Sequence, residues 1–140
     1  MPVKHLAVDP VTESPDADLR DVAETLASES VGSVVVEEAG RPVGIVTDRD
    51  VALAVAETDD LEDLDAADVM TDDPATIEGD AEAVELPRQM AESRVRRLPV
   101  VDDDGHLTGV ATADDVIAVA GEELEDVATV IEAQSPDYSP

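Results

Sequence analysis

The amino-acid sequence repeats itself once along its length, and this internal repeat limits the possible folds more than any other feature. Sliding the chain along itself superimposes identical residues in the same order, which are Asp9 and Pro10 on Asp73 and Pro74, Gly44 on Gly109, Thr47 on Thr112, and Asp50 on Asp115. One copy of the repeat, which is about half of the chain, has too small an interior to be stable alone. We therefore expect two copies that pack face to face as one folded unit.

Each copy is predicted to contain a short strand, a helix, a two-stranded hairpin and a final helix. In the first copy, apolar residues recur at the spacing of one buried helical stripe, and these are Leu19, Val22, Ala23 and Leu26. The second copy has Ala83, Leu86 and Met90 at the corresponding positions, with Pro87 among them. Because proline lacks a backbone donor, Pro87 predicts a kink or a shifted start for this helix.

Two acidic turns that end in glycine lie between apolar runs. Residues 34–36 and 42–46 flank the turn 37–40, and residues 98–101 and 107–111 flank the turn 102–105. Both patterns predict β-hairpins.

The final helix of each copy is predicted over residues 51–56 and 116–120, which are apolar on every side. A helix of this kind is buried from more than one direction, and a second copy of the chain is the simplest source of that burial. We therefore expect a homodimer. A further helical stripe follows at Leu124, Val127, Ala128 and Ile131, and the tail at residues 135–140 is expected to fray.

The charge of the chain excludes several partners. It has 36 acidic and 8 basic residues, a formal net charge of -28, and an apolar fraction of 43%. Such a charge repels nucleic acids and anionic membranes, while the apolar fraction is too high for a disordered acidic tail. A surface this rich in acidic side chains is typical of proteins from salt-accumulating halophiles. About 1 M salt shortens the Debye length to ~3 Å and so screens the repulsion between the carboxylates.

Composition narrows the location and chemistry further. Cysteine is absent, which excludes disulfides and thiolate metal sites. No apolar run approaches the ~20 residues of a membrane span, and no signal-peptide core follows Met1, so a cytoplasmic protein is expected. Tyr138 is the sole aromatic residue, which leaves no platform for stacking bases.

Two copies of one motif lie at the matching point of the repeat, after a glycine-bearing strand and before an apolar helix. They are Gly-Ile-Val-Thr-Asp-Arg-Asp at 44–50 and Gly-Val-Ala-Thr-Ala-Asp-Asp at 109–115, accompanied by Asp-Val-Met-Thr at 68–71 and Arg-Arg-Leu-Pro-Val-Val-Asp at 96–102. On these residues the chain resembles the CBS domain family, in the tandem form called a Bateman module, over about residues 3–120.

This resemblance implies an α/β fold of two CBS repeats, each β-α-β-β-α, packed as a pseudo-twofold pair. The corresponding boundaries are 1–62 for the first repeat, 63–121 for the second, and 122–140 for a C-terminal helix and tail. It also implies clefts between the repeats that bind AMP, ADP or ATP. Thr47 and Thr112 would then bind phosphate, and Asp50 and Asp115 would accept hydrogen bonds from the ribose hydroxyls.

These roles agree with the chemistry of a strand-to-helix junction, which presents backbone N–H groups and a positive dipole end to phosphate. However, Thr-x-x-Asp is also a capping pair at a helix N-terminus. Capping and ligand binding are compatible, so the motif could be structural in one cleft and functional in the other.

Arginine supplies a hint that does not depend on the family. Half of all basic residues fall in one short segment, at Arg88, Arg94, Arg96 and Arg97. This clustering indicates an anion site, for which we select Arg94, Arg96 and Arg97. Their counterparts in the first repeat are Ser30, Gly32 and Ser33, so the two clefts should differ in phosphate affinity. The alternative is a surface patch paired with the acidic coat, and the sequence leaves open which cleft the arginines serve.

No catalytic or metal pattern appears. Nucleophile-elbow, phosphate-loop and dinucleotide motifs are missing. His5 and His106 lack a paired histidine or cysteine and are expected to face solvent. The acidic turn at 102–105 lacks the spaced carboxylates of a calcium loop.

We therefore expect a regulatory, non-enzymatic module with no required cofactor and no metal. It would bind an adenine nucleotide as regulatory ligand and transmit the change to an unidentified effector protein. Two alternatives are a ligand-free interaction scaffold, and a sensor of another adenosyl ligand such as S-adenosylmethionine.

Overall fold

The structure is a computed structural model and describes residues 1–134. It contains two small sheets and five α-helices in the described range. The tail that was expected to fray, at residues 135–140, lies outside the described residues.

The first sheet has four strands in the order β1-β2-β3-β4. The strands are β1 at Thr12–Glu13, β2 at Ser33–Glu38, β3 at Arg41–Thr47 and β4 at Thr71–Asp72. β1 is parallel to β2, and β2 forms the predicted antiparallel hairpin with β3. Its turn is closed by Ala39 and Gly40, with φ of 54° and 79°. Positive φ at both central residues matches the twist of the flanking strands.

The second sheet repeats this arrangement with three strands in the order β5-β6-β7. They are β5 at Ile77–Glu78, β6 at Arg97–Val101 and β7 at Leu107–Thr112. β5 is parallel to β6, and β6 and β7 form the second predicted hairpin. Val8 makes an isolated antiparallel bridge to Val110, beside β7 as β4 lies beside β3.

The helices are α1 at Leu19–Glu29, α2 at Asp48–Glu57, α3 at Ala66–Val69, α4 at Glu85–Ser93 and α5 at Ala113–Gln134. The predicted stripe of α1 is confirmed in its main members, since Leu19, Val22 and Leu26 are buried. Pro87 is the third residue of α4. A first-turn N–H has no intrahelical partner, so Pro87 is tolerated there and the helix starts later, as predicted.

Each core takes in a segment from the other half of the chain. Val3, which lies at the N-terminus, packs with Leu86 and Leu98 in the core under the second sheet. Ala66, which follows the connector, packs with Val22 and Val46 under the first sheet. The packing therefore crosses the sequence boundary between the repeats, and the two halves depend on each other for a complete core.

Of two expectations about the final helices, one requires a second copy of the chain and is not tested by a single chain, and the other was wrong. The segments that were expected to be buried from more than one direction expose Leu53 by 44%, Val55 by 57% and Ile117 by 69%. No other part of the described chain covers these side chains. In addition, α5 runs without a break to Gln134, although two separate helices were expected. A glycine costs a helix about 1 kcal/mol, and Gly121 is accommodated inside α5.

Among residues 1–134, no helix combines the length and the apolar character needed to cross a membrane.

Candidate functional site

The first copy of the motif forms a complete capping box at the start of α2. The Asp50 backbone N–H donates to Thr47 Oγ1 over 3.2 Å, and the Thr47 backbone N–H donates to Asp50 Oδ2 over 2.8 Å. These two bonds satisfy donors that the first turn of a helix leaves unpaired. The junction is thereby held rigidly, with the end of β3 and the first residues of α2 facing the same space.

The second copy of the motif has the same geometry at the start of α5. The Asp115 backbone N–H donates to Thr112 Oγ1 over 3.3 Å, and the Thr112 backbone N–H donates to Asp115 Oδ2 over 2.9 Å. The Thr112 hydroxyl also lies 3.0 Å from Asp115 Oδ2. Capping, which the sequence left as an alternative to ligand binding, is therefore present in both repeats.

A left-handed residue at the end of α4 directs the arginine segment. Arg94 has φ of 57°, and its backbone N–H donates to Met90 O. Ser30 ends α1 in the same way, with φ of 55° and a bond to Leu26 O. This conformation is unusual for residues other than glycine, and it turns the chain sharply into β6, so that Arg96 and Arg97 follow at once.

These elements enclose a cleft of about 700 Å³, which we call the Thr47 cleft. Four arginines line it, which are Arg49, Arg94, Arg96 and Arg97, together with the two acidic residues Asp48 and Asp73. The chain has only 8 basic residues and a net charge of -28. Half of its positive charge therefore surrounds one cleft, where it offsets the acidic coat.

The walls of the Thr47 cleft come from both repeats. Thr47 and Ile45 belong to the first hairpin, whereas the arginine segment belongs to the second repeat, and Pro74 and Ala75 come from the link between β4 and β5. Apolar side chains therefore line part of a cleft in whose remaining wall arginines outnumber carboxylates. A planar apolar group with an anionic end fits this combination.

A second, much smaller cavity of about 40 Å³ lies at the start of α5, and we call it the Thr112 cleft. Its lining consists of Arg96, Arg97, Thr112, Ala113 and Asp114. Arg96 Nη2 lies 3.9 Å from Asp114 Oδ1, and both side chains are exposed. The same two arginines therefore border both clefts.

The structure brings together some of the residues selected from the sequence and leaves others apart. Thr47 and the three selected arginines line one cleft, and Thr112 lies at the other. Asp50 and Asp115 act as caps and line neither cavity. Sequence reasoning missed Arg49, although it is one of few basic residues in the first repeat and stands inside the motif.

The acidic turn at 102–105 is held by hydrogen bonds between neighbouring residues. Asp102 Oδ1 accepts the backbone N–H groups of Asp104 and His106, each over 2.9 Å. The bond from His106, and then that from Asp104, lower the pKa of the Asp102 carboxyl. His5 and His106 are both exposed, as expected.

Comparison with known proteins agrees with this architecture. The CBS domain family matches residues 3–57 and 66–122. The uncharacterized protein MK0525 of Methanopyrus kandleri is 35% identical over 113 residues, which cover 79% of this chain and 58% of that protein. The inosine-5'-monophosphate dehydrogenase of Bifidobacterium longum is 33% identical over 118 residues, but the match covers only 21% of the enzyme.

A solved structure shows the same fold. The CBS domain protein PAE2072 from Pyrobaculum aerophilum, complexed with AMP, has a TM-score of 0.75 and 29% identity, over 82% of this chain and 89% of that one. The chain belongs to the CBS domain family and contains two tandem CBS repeats.

Proposed function

We propose that this chain is a regulatory module that binds adenine nucleotides in the clefts between its two CBS repeats. The observation that carries the proposal is the placement of four arginines around the Thr47 cleft of a chain with a net charge of -28. The four arginines outnumber Asp48 and Asp73 at this cleft, and like charges held close together are unfavourable, so an anion is the natural occupant.

The dimensions and lining of the cleft support a nucleotide. Its volume of about 700 Å³ lies within the usual range of small-molecule sites. The guanidinium groups suit phosphate, which they bind through paired N–H donors. Ile45, Pro74 and Ala75 offer an apolar surface for the base. The AMP complex of the Pyrobaculum relative supports the same class of ligand.

Thr47 and Asp50 would serve in both capping and binding. The cap uses Oδ2 of Asp50, and a carboxylate has a second oxygen that can accept from a ribose hydroxyl. The Thr47 hydroxyl accepts from the Asp50 backbone and can donate its own proton to phosphate. Asp115 and Thr112 would have the same roles at the Thr112 cleft, where the Thr112 hydroxyl must first turn its proton away from Asp115 Oδ2, which lies 3.0 Å away.

Because the Thr47 cleft draws on both repeats, a bound nucleotide favours the arrangement in which both walls contact it. A ligand shifts such an equilibrium only by its difference in affinity for the two arrangements. The change would be transmitted to an effector protein, and the proposal includes no catalytic step and no required cofactor. The match to the dehydrogenase covers only 21% of that enzyme, and its activity is not carried over.

A homodimer is part of the proposal. Exposed apolar side chains on α2 and α5, which include Leu53, Val55, Ile117, Leu124 and Val127, supply the surface. Light scattering in multimolar KCl should give twice the mass of the chain, and Leu124→Glu should lower that mass. A monomer mass for the unmodified protein would remove this part of the proposal. The predicted cytoplasmic location and halophilic origin stay predictions.

The test of the main proposal is isothermal titration with AMP, ADP and ATP in multimolar KCl, using the unmodified protein, Asp50→Ala, Asp115→Ala and the control Asp126→Ala. Asp126 is an exposed acid on α5 that lines neither cleft. Saturable binding that a cap variant weakens and the control retains is the expected result. Heats equal to dilution for all three nucleotides would contradict the proposal.

The interaction scaffold is the second candidate, and the complete capping boxes favour it because they give both motifs a structural role. It predicts that Asp50→Ala and Asp115→Ala lose some stability and that no nucleotide binds. A sensor of S-adenosylmethionine is distinguished by competition, since that ligand lacks the phosphate that the arginines would hold.

A further inference from the structure

An apolar groove of about 420 Å³ opens on the first repeat between α1, α2 and the 3₁₀ turn Leu61–Asp63. We call it the α1–α2 groove. Its apolar lining comes from five side chains, which are Leu19, Ala23, Val51, Val55 and Leu61. Val55 is 57% exposed, so the groove is open to solvent in the single chain. Among the described residues, none lines both this groove and one of the two nucleotide clefts.

A helix face without a partner lies near the other end of the chain. α5 packs against α4 and β7, but every residue from 120 to 134 is exposed. We call residues 120–134 the α5 arm, which is about 22 Å long at 1.5 Å per residue. Leu124, Val127 and Ile131 recur along one side of it and are exposed by 71%, 56% and 44%. Because helices gain most of their stability from the packing of an apolar face, the arm requires a surface that covers this side.

The arm and the groove of one chain do not meet. α5 is unbroken from Ala113 to Gln134 and belongs to the second repeat, whereas the groove lies on the first. A second copy, related by a twofold axis, offers each arm the groove of the other chain. Each chain has one arm and one groove, so this exchange covers both and gives a closed dimer rather than an open fibre. The family match ends at residue 122, so most of the arm lies outside it.

Charge favours the groove over a second arm as the surface that covers the stripe. At 100° per residue, three acids flank the stripe, which are Glu123, Glu125 and Glu132. The arm has no Lys or Arg, so two arms packed together would bring like charges close without a cation between them. The rim of the groove has Asp18 and Glu62 but also Arg20, which makes no ion pair within residues 1–134. The groove therefore offers the arm one cation, and high salt screens the remaining repulsion.

We infer that the α5 arm of each chain lies in the α1–α2 groove of a second copy, with Leu124, Val127 and Ile131 against the apolar lining. This contact, which rests on the proposed homodimer, joins the second repeat of each chain to the first repeat of the other. It gives the arm, the groove and the exposed Val55 a single common partner.

Engineered cysteines test the contact, because the chain has none of its own and a disulfide requires Cα atoms about 4.4–6.8 Å apart. Ala23→Cys and Val127→Cys chains, expressed together and oxidised mildly in multimolar KCl, should give a disulfide-linked product of twice the chain mass. Asp126 lies on the side of the arm opposite the stripe, so Asp126→Cys is the control and should not link to Ala23→Cys.

Three results would overturn the inference and leave the homodimer intact. A linked dimer of Val127→Cys alone would mean that two arms pack together. A disulfide within one chain of the double variant Ala23→Cys/Val127→Cys would place the arm on its own chain. The absence of any link, in protein that light scattering shows to be a dimer, would mean that the arm lies elsewhere. A monomer mass for the unmodified protein would remove the homodimer and the inference together, without bearing on nucleotide binding.

A substitution at the rim gives a second measurement that needs no disulfide. At the lowest salt at which the dimer persists, Arg20→Gln should raise the dimer dissociation constant by about 2- to 30-fold, the range for two exposed ion pairs in each dimer. Arg41 is an exposed residue at the turn of the first hairpin, away from the groove, and Arg41→Gln should leave the constant unchanged. An unchanged constant in Arg20→Gln, or an equal rise in Arg41→Gln, would contradict the role of the groove.

Discussion

The Thr47 cleft and the Thr112 cleft are built at equivalent points of the two repeats, yet they differ strongly in charge and size. Both begin at a strand end where a threonine and an aspartate form the same capping bonds. The first measures about 700 Å³ and has four arginines, whereas the second measures about 40 Å³ and has Asp114 in place of Arg49. The residues that fold each repeat are thus alike, and the residues that face a ligand are not.

This difference teaches that the repeated motif alone does not define a nucleotide site. The capping bonds satisfy the helix termini in both repeats whether or not a ligand is present. Ligand selectivity would come instead from neighbouring side chains that the repeat does not share.

The largest expected effect is a loss of stability that unfolds both repeats and with them both clefts. Leu98 is fully buried in a core that includes Val3 from the other end of the chain. Leu98→Ala should lower the free energy of unfolding by about 2–5 kcal/mol and shift one common transition, since each half completes the other's core. Val84, which is 57% exposed and lies outside the proposed dimer surface, provides the control, and Val84→Ala should change stability by less than about 0.5 kcal/mol. Thermal unfolding followed by circular dichroism measures both, and two separate transitions with only one displaced would be inconsistent with crossed cores.

The next largest effect is on AMP affinity, and it distinguishes the Thr47 cleft from the Thr112 cleft. Arg94 lines the Thr47 cleft and not the Thr112 cleft. Arg94→Gln should weaken AMP binding by about 10- to 100-fold, since a hydrogen bond to a charged group contributes roughly 1.5–3 kcal/mol. Arg88 is an exposed residue that pairs with Glu85 over 3.2 Å and lines neither cleft, so Arg88→Gln is the control. Equal titration curves for the two variants would argue against the arginine assignment.

A smaller effect compares the two caps. Thr47→Ala and Thr112→Ala each remove a side-chain acceptor from a helix terminus and should cost about 0.5–2 kcal/mol of stability. The stability losses should be similar, whereas only Thr47→Ala should weaken AMP binding. Thermal unfolding and AMP titration of the same samples test this. If Thr112→Ala weakens AMP binding and Thr47→Ala does not, the Thr112 cleft binds the nucleotide.

The smallest effect concerns the hairpin turns. Asp102 in the second hairpin accepts two backbone N–H groups, with the bond from His106 as the main reason that its pKa is lowered. The stabilisation of the turn is present above the ordinary carboxyl pKa of about 3.9 and is lost as the pH falls through the lower folded value. An NMR titration should place the Asp102 midpoint below that of the same residue in a peptide of the turn. A midpoint at or above the peptide value would contradict these bonds.

Sequence reasoning was most successful for local features. The hairpins, the capping pairs and the displaced start of α4 at Pro87 depend on residues within one or two turns of each other, so spacing alone predicts them. The repeat itself also predicted the pairing of two similar units.

Features that depend on distant residues were left open or missed. The sequence left open which cleft the arginines serve, because the placement of Arg94 and Thr47 on one cleft follows from the packing of one repeat on the other. The sequence around Arg49 does not predict its place in the cleft, because the second repeat supplies the opposite wall. The continuity of α5 through Gly121 is also a product of the whole helix, because a single glycine costs less than a break in the hydrogen-bond ladder.

The most direct test of the central claim is a crystal structure of the protein grown with AMP in high salt. The account predicts a phosphate in the Thr47 cleft, within hydrogen-bond distance of Thr47 Oγ1 and the guanidinium groups of Arg94 and Arg97. A nucleotide bound only at Thr112, or a Thr47 cleft without nucleotide in crystals of a protein saturated with AMP, would contradict it.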